Sequence, residues 1–138
     1  MSRENVEVVR RIYDATARRD DVTPFELYSE EIVWDMSQTA RAAFYAQPVY
    51  RGHAGVRELW RETLAALGDV DFAVDELTDA GEHVLAGIRD RAVGRASGVP
   101  VEARHFAVWT LAAGKIVRLD MFDERDRALE AAGLARGD

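Results

Sequence analysis

The sequence predicts an α+β domain, with a curved antiparallel sheet covered on one face by helices. Three observations carry this reading. Helical periodicity is concentrated before residue 68 and in a short tail, and four strand-like segments follow one another after it. Glycine turns at Ala80-Gly81, Ser97-Gly98 and Ala113-Gly114 separate those segments, as an antiparallel meander requires. Finally, a run such as Phe106-Ala107-Val108-Trp109-Thr110-Leu111 is apolar at both parities, so this part of the sheet is expected to be covered on both sides. Helices would cover one face, and the sheet of a twin subunit would most simply cover the other.

The elements follow in order. Val6, Val9, Tyr13 and Ala17 form one stripe of a first helix that Ser2 can cap, and Arg10, Arg11, Asp14 and Arg18 form its solvated side. "RRDD" at 18–21 ends it. Thr23-Pro24-Phe25-Glu26 reads as a fresh start, with Thr23 as cap, Pro24 in the first turn and Glu26 completing a capping box. "IVWDM" (32–36) is β-branched and aromatic and reads as a strand. Residues 37–50 have no clean period and read as an irregular segment over the open end of the domain, with a helical turn near Ala40–Phe44. From Ala54, a second long helix shows one apolar face (Val56, Leu59, Trp60, Thr63, Leu64, Leu67) and stops at Gly68. Strands follow over 71–79, 83–95, 99–111 and 115–123, and Gly133 stops a short final helix.

The 138 residues allow one domain with one core. With 25 acidic against 18 basic residues, the formal charge of −7 disfavours nucleic acid or an anionic membrane as partner. No cysteine is present, so disulfides, thiolate metal sites and cysteine nucleophiles are excluded. No apolar leader and no 18-residue apolar run occur, so a cytoplasmic chain is expected, with a small molecule or a second copy of itself as partner.

Several phrases carry a family resemblance: "NVEVVRRIYDATARRD", "EEIVWDM", "VYRGHAGVRELW" and "GVPVEARHFAVWTLAAGKIVRLDMFDERDRALEAAGL". In order and content they resemble the SnoaL-like branch of the nuclear transport factor 2-like superfamily, leaving only 37–47 without a counterpart. The resemblance implies a cone-shaped α+β barrel with a deep apolar pocket, commonly a homodimer packed sheet to sheet. It does not fix the function, because the same cone hosts isomerases, cyclases, dehydratases, epoxide hydrolases and non-enzymatic binders.

Gly52-His53-Ala54-Gly55 matches neither a P-loop nor a dinucleotide fingerprint, and reads as a backbone turn into the long helix. His53, His83 and His105 are isolated, without metal-ligand spacing, so neither a metal nor a cofactor is expected. The steroid-isomerase member of this fold uses a carboxylate base with a tyrosine and a protonated aspartic acid. Laid on this chain, those positions fall on Ile12, Met36 and Phe106, with Tyr13, Asp35 and His105 one residue away, so that chemistry is not expected unchanged. The SnoaL-like cyclases imply a pocket carboxylate assisted by histidine, for which His105 and Asp120 are the nearest equivalents. A tight Ala113-Gly114 hairpin places Ala107 opposite Asp120, with His105 diagonal to it on the same face.

Which face that is stays open. The isomerase alignment turns Phe106, Val108, Leu119 and Met121 into the cone, and His105 with Asp120 toward the dimer side. A one-residue shift at the hairpin would reverse only one strand. The candidate polar actors are therefore His105, Asp120, Tyr13 and Asp35, and the candidate pocket wall is Trp34, Met36, Trp60, Phe106, Val108, Leu119 and Met121. Arg89, Arg91 and Arg95 read as a solvated or interface stripe. Two functions fit: cofactor-free proton transfer on an apolar, polycyclic-sized substrate, or a non-catalytic binding or dimerisation module.

Overall fold

The computed structural model describes residues 2–68, 70–93 and 97–134. The Ser2 side chain and Arg95 lie outside what is described. Helix α1 (Ser2–Ala17) buries Val9, Ile12 and Ala15, a stripe rotated slightly from the one read in the sequence, and leaves Ala17 exposed. Helix α2 (Thr23–Leu27) starts without the expected capping box. Asp20 does the work instead, accepting bonds from the Val22 and Thr23 amides and the Thr23 hydroxyl. These bonds, the Thr23 hydroxyl first, bring the Asp20 carboxyl down to about 2.

Strand β1 (Tyr28–Asp35) leads into a strap over 36–48 that contains a single 3-10 turn, Ala40–Phe44. The short β2 (Val49–Arg51) then enters α3 (Gly52–Leu67). Gly52 has φ +69°, which an L side chain resists, and a Cβ at Gly55 would sit 3.3 Å from the Tyr50 backbone. His53 shares a hydrogen bond of 3.0 Å between its Nε2 and the Tyr28 carbonyl. The stretch is thus a tight entry into a helix packed on β1.

Strands β3 (Asp71–Ala80), β4 (His83–Val93), β5 (Pro100–Ala112) and β6 (Lys115–Phe122) form the meander, and α4 (Arg125–Ala131) closes the chain. The sheet runs β2-β1-β6-β5-β4-β3, antiparallel throughout except for the β1–β6 pair. Its inner face, with α1 and α3, encloses the main core around Ile12, Ile32, Val56, Trp109 and Leu119. Its outer face carries a smaller cluster, Leu85, Phe106, Val108 and Phe122, packed against Ala128, Leu129 and Ala132. Part of the second-side burial expected from the sequence is supplied by α4 of the same chain. Among the described residues no helix is long and apolar enough to cross a membrane.

One local feature decides which side chains enter the cone. Ala113 and Gly114, at φ 51° and 77°, make a two-residue turn of the kind that suits a hairpin, pairing Ala112 with Lys115 and Leu111 with Ile116. The register then shifts, so Thr110 meets Arg118, Val108 meets Asp120 and Ala107 meets Met121. A bulge of one residue at Val117 reverses one strand against the simple count. Leu119 and Met121 thus share the inner face with His105 and Trp109, while Asp120 shares the outer face with Phe106 and Val108.

Candidate functional site

A cavity of about 710 Å³ lies between the inner face of the sheet, α1, α3 and the strap. Trp34, Trp60 and Trp109, all the tryptophans of the chain, line it. Buried Ile12, Met36 and Leu119 close its interior, and the exposed Phe44, Leu64 and Val101 mark its open end. The rings form a connected edge-on array: Trp34 meets Tyr28, Trp60 and Trp109 at 6.0, 6.4 and 5.8 Å, and Tyr13 meets Trp109 at 5.5 Å. Such walls favour flat apolar molecules, which can meet ring faces and edges on several sides.

Of the residues singled out in the sequence, Tyr13, Trp34, Met36, Trp60, His105, Leu119 and Met121 line this cavity. Phe106 and Val108 do not. They lie under α4 on the other face, because the Val117 bulge turns β5 over relative to the expected pairing. Asp35 and Asp120 are also outside the cavity. They flank Arg118, whose Nη2 donates to Asp35 Oδ2 at 2.7 Å and whose Nε donates to both Asp120 oxygens at 3.0 Å. The pair His105–Asp120 therefore does not exist, and these residues point to opposite faces.

His105 has a different carboxylate. On β4, Ile88 stands opposite His105, and Asp90 lies diagonally beyond it on the same inner face. The His105 Nδ1 is 2.6 Å from Asp90 Oδ2, and their side chains are 7% and 14% exposed. A carboxylate only accepts, so Nδ1 carries the proton and donates it to Asp90. In the neutral ring, Nε2 then holds a lone pair and makes no hydrogen bond to the described residues, while the buried polar atom without a partner on the cavity wall is Trp34 Nε1. Burial pushes the Asp90 carboxyl up, but the His105 hydrogen bond and the charges of His105 and Arg41 outweigh it and hold the group below its usual range. Sequence reading missed Asp90 because it sits between Arg89 and Arg91. Those face outward, Arg89 to Asp75 and Arg91 to Glu102. The signal was parity: an acid between two outward arginines on a strand must point inward.

Two phenols complete the polar interior. Trp109 Nε1 donates to Tyr13 Oη at 3.0 Å, leaving the Tyr13 proton free to be given elsewhere. Tyr28 has no hydrogen bond to its hydroxyl among the described residues. Burial raises both phenols above their ordinary value, so each stays a neutral donor at any physiological pH. Tyr45, by contrast, is tied to Thr63 at 2.7 Å. Among the described residues no three His, Asp or Glu side chains stand close enough to hold a metal ion. The arrangement can accept a proton at His105 and donate hydrogen bonds from Tyr13 and Tyr28 within one apolar chamber.

Comparison with known proteins bears on the fold. A nuclear transport factor 2-like protein from Burkholderia thailandensis E264 is 26% identical, with a TM-score of 0.77 over 95% of this chain and 98% of that one. TerC, crystallised with polyporic acid, is 18% identical, with a TM-score of 0.77 over 94% and 98% of the two chains. A protein from Jannaschia sp. CCS1, named a SnoaL-like polyketide cyclase, is 18% identical, with a TM-score of 0.73 over 88% and 85%. Identities this low in the last two speak for the fold alone. No curated protein matches the chain. The SnoaL-like domain family matches residues 9–119, most of the length, and the chain belongs to that family.

Proposed function

We propose that the protein is a cofactor-independent acid–base enzyme of the isomerase, cyclase or dehydratase kind, acting on a flat, apolar molecule with a carbonyl. His105 removes a proton from a carbon beside the carbonyl, Asp90 holds the imidazole in the required tautomer, and Tyr13 or Tyr28 donates a hydrogen bond to the oxygen that gains charge. The observation that carries this reading is the buried carboxylate–imidazole pair in a cavity whose wall is mostly apolar and rich in aromatic rings. Buried polar groups are costly in such surroundings unless they are satisfied; here Asp90 satisfies one ring nitrogen and the cavity leaves the other available to a ligand. Two of the structural relatives are a protein named a SnoaL-like polyketide cyclase and one crystallised with polyporic acid, and the aromatic walls here suit a ligand of that flat, cyclic kind.

The test needs no knowledge of the natural substrate. A panel of flat aromatic and cyclic ketones is incubated with the protein in D2O, and deuterium uptake at the acidic carbon is followed by NMR. The wild type should exchange at least one member, and His105→Ala should slow that exchange by roughly 10²-fold or more while still binding it. Exchange by His105→Ala at the wild-type rate would remove His105 as the base. Ligands that bind the wild type without any exchange would instead make the cavity a carrier site.

A further inference from the structure

Asp90 Oδ2 serves two partners at once. It receives His105 Nδ1 from β5 and also Arg41 Nη2 from the strap over 36–48. The Arg41 side chain is 26% exposed and lines the cavity beside His105. The strap thus delivers a fixed positive charge to the carboxylate that orients the base.

We propose that Arg41 is a positioning residue that sets the base strength of His105 by competing with the imidazole for a single oxygen of Asp90. The inference rests on His105 being the base. An imidazole facing an undivided carboxylate becomes a stronger base, because its protonated form gains a full opposite charge. A guanidinium on the same oxygen drains that charge and adds its own repulsion, which weakens the attraction of the carboxylate for a protonated ring.

Other groups surround the pair. Asp123, just after β6, feels the charges of both Arg41 and His105. It is occupied by the Thr39 hydroxyl and the Ala40 amide. Tyr45 on the strap and Tyr13 on α1 both feel the Asp90 charge, and both are held neutral chiefly by burial. Glu62 on α3 is occupied by the Tyr50 hydroxyl and the Ala46 amide. Arg41 is thus the cation bonded directly to the pair, and the strap keeps its other anchors when that cation is removed.

Imidazole titration of the full chain by 1H–15N NMR reads the effect directly. Arg41→Gln should raise the His105 pKa by about one unit. Arg41→Met should do the same while keeping the aliphatic stem, and it carries the test alone if the glutamine variant does not fold. Arg41→Lys, which keeps the charge, should leave His105 close to wild type. His53 and His83, bound to the Tyr28 carbonyl and to Thr110, serve as internal references that do not move. An unchanged or lowered His105 pKa in the folded neutral variants overturns the proposal, as does a shift in Arg41→Lys equal to that in Arg41→Gln. The two readings fail separately. A null titration with exchange still lost in His105→Ala removes only the Arg41 role, whereas a full shift with exchange retained in His105→Ala removes only the base.

Discussion

The two faces of the sheet carry the same kinds of side chain and put them to different use. On the inner face one carboxylate, Asp90, is buried with a histidine and the tip of one arginine among aromatic rings. On the outer face Asp35, Asp75, Glu76 and Asp120 are matched to Arg118, Arg89, Arg104 and Arg125 around the α4 cluster. The outer pairs are bonded arginine to carboxylate, with the arginines between a third and two thirds exposed, so they balance charge in contact with water. The inner group is short of water and leaves His105 Nε2 open. Burial with incomplete satisfaction, rather than the presence of charged residues, separates the chemical face from the structural one.

The largest effect expected on this contrast is on stability. Trp109 is 2% exposed, meets Tyr13 and Trp34, and donates to the Tyr13 hydroxyl. Trp109→Ala should cost about 3–5 kcal/mol in urea denaturation, because it opens a cavity and strips a donor from a buried phenol. Phe106→Ala removes a ring from the smaller outer cluster, where the Arg104 guanidinium lies 4.9 Å from the ring centre. It should cost less and leave deuterium exchange intact. Equal costs would mean that the two clusters form one cooperative core.

Next comes Asp90→Asn, which keeps the shape and removes the charge. Deuterium exchange should fall by on the order of 10²-fold, since an amide no longer enforces the Nδ1-protonated tautomer. The pH dependence has a definite sign. The folded Asp90 carboxyl lies below its ordinary value, so its contribution to stability is fully present above the unfolded pKa of about 3.9. That contribution is lost as the pH falls through the folded value. Wild type and Asp90→Asn should therefore differ in stability at pH 7 and converge in acid. A difference that persists at pH 2 would trace the cost to packing instead.

This contrast also shows how far the sequence could be read. Periodicity and turn residues place every element except the short β2 (Val49–Arg51), which reads as irregular; the helical turn at Ala40–Phe44 and the stop at Gly68 are legible because they depend on local preferences. The choice of face on β5 depends on a single extra residue at Val117, which no local preference marks, and that residue decides whether His105 or Phe106 enters the cone. The isomerase alignment puts Leu119 and Met121 inside, and there they line the cavity; the same alignment puts Phe106 and Val108 inside, and there the bulge reverses it. Asp90 was legible by parity but not by partner. The β4–β5 connection spans residues 94–99, so its length leaves the cross-strand register free. The capping box at Thr23 failed for a related reason: Asp20, three residues earlier, takes both the Thr23 amide that Glu26 would have reached and the Thr23 hydroxyl.

The smallest expected effect is the sharpest check on the comparison. Asp120→Asn and Asp35→Asn each remove one carboxylate from Arg118, which keeps the other and is 42% exposed at its side chain. Asp35 and Asp120 are 15% and 20% exposed, but Arg118 reaches water and keeps one partner in either variant, so each should cost only about 1 kcal/mol. Either variant should shift the urea midpoint only slightly and leave deuterium exchange within about twofold of wild type. The double variant should cost more than the sum, since Arg118 then loses both partners, including the hydrogen bonds that, Asp120 first, raise its own affinity for a proton. A loss of exchange in Asp120→Asn comparable to that in Asp90→Asn would reverse the assignment of faces. It would require that the outer cluster, and not the aromatic chamber, meets the substrate.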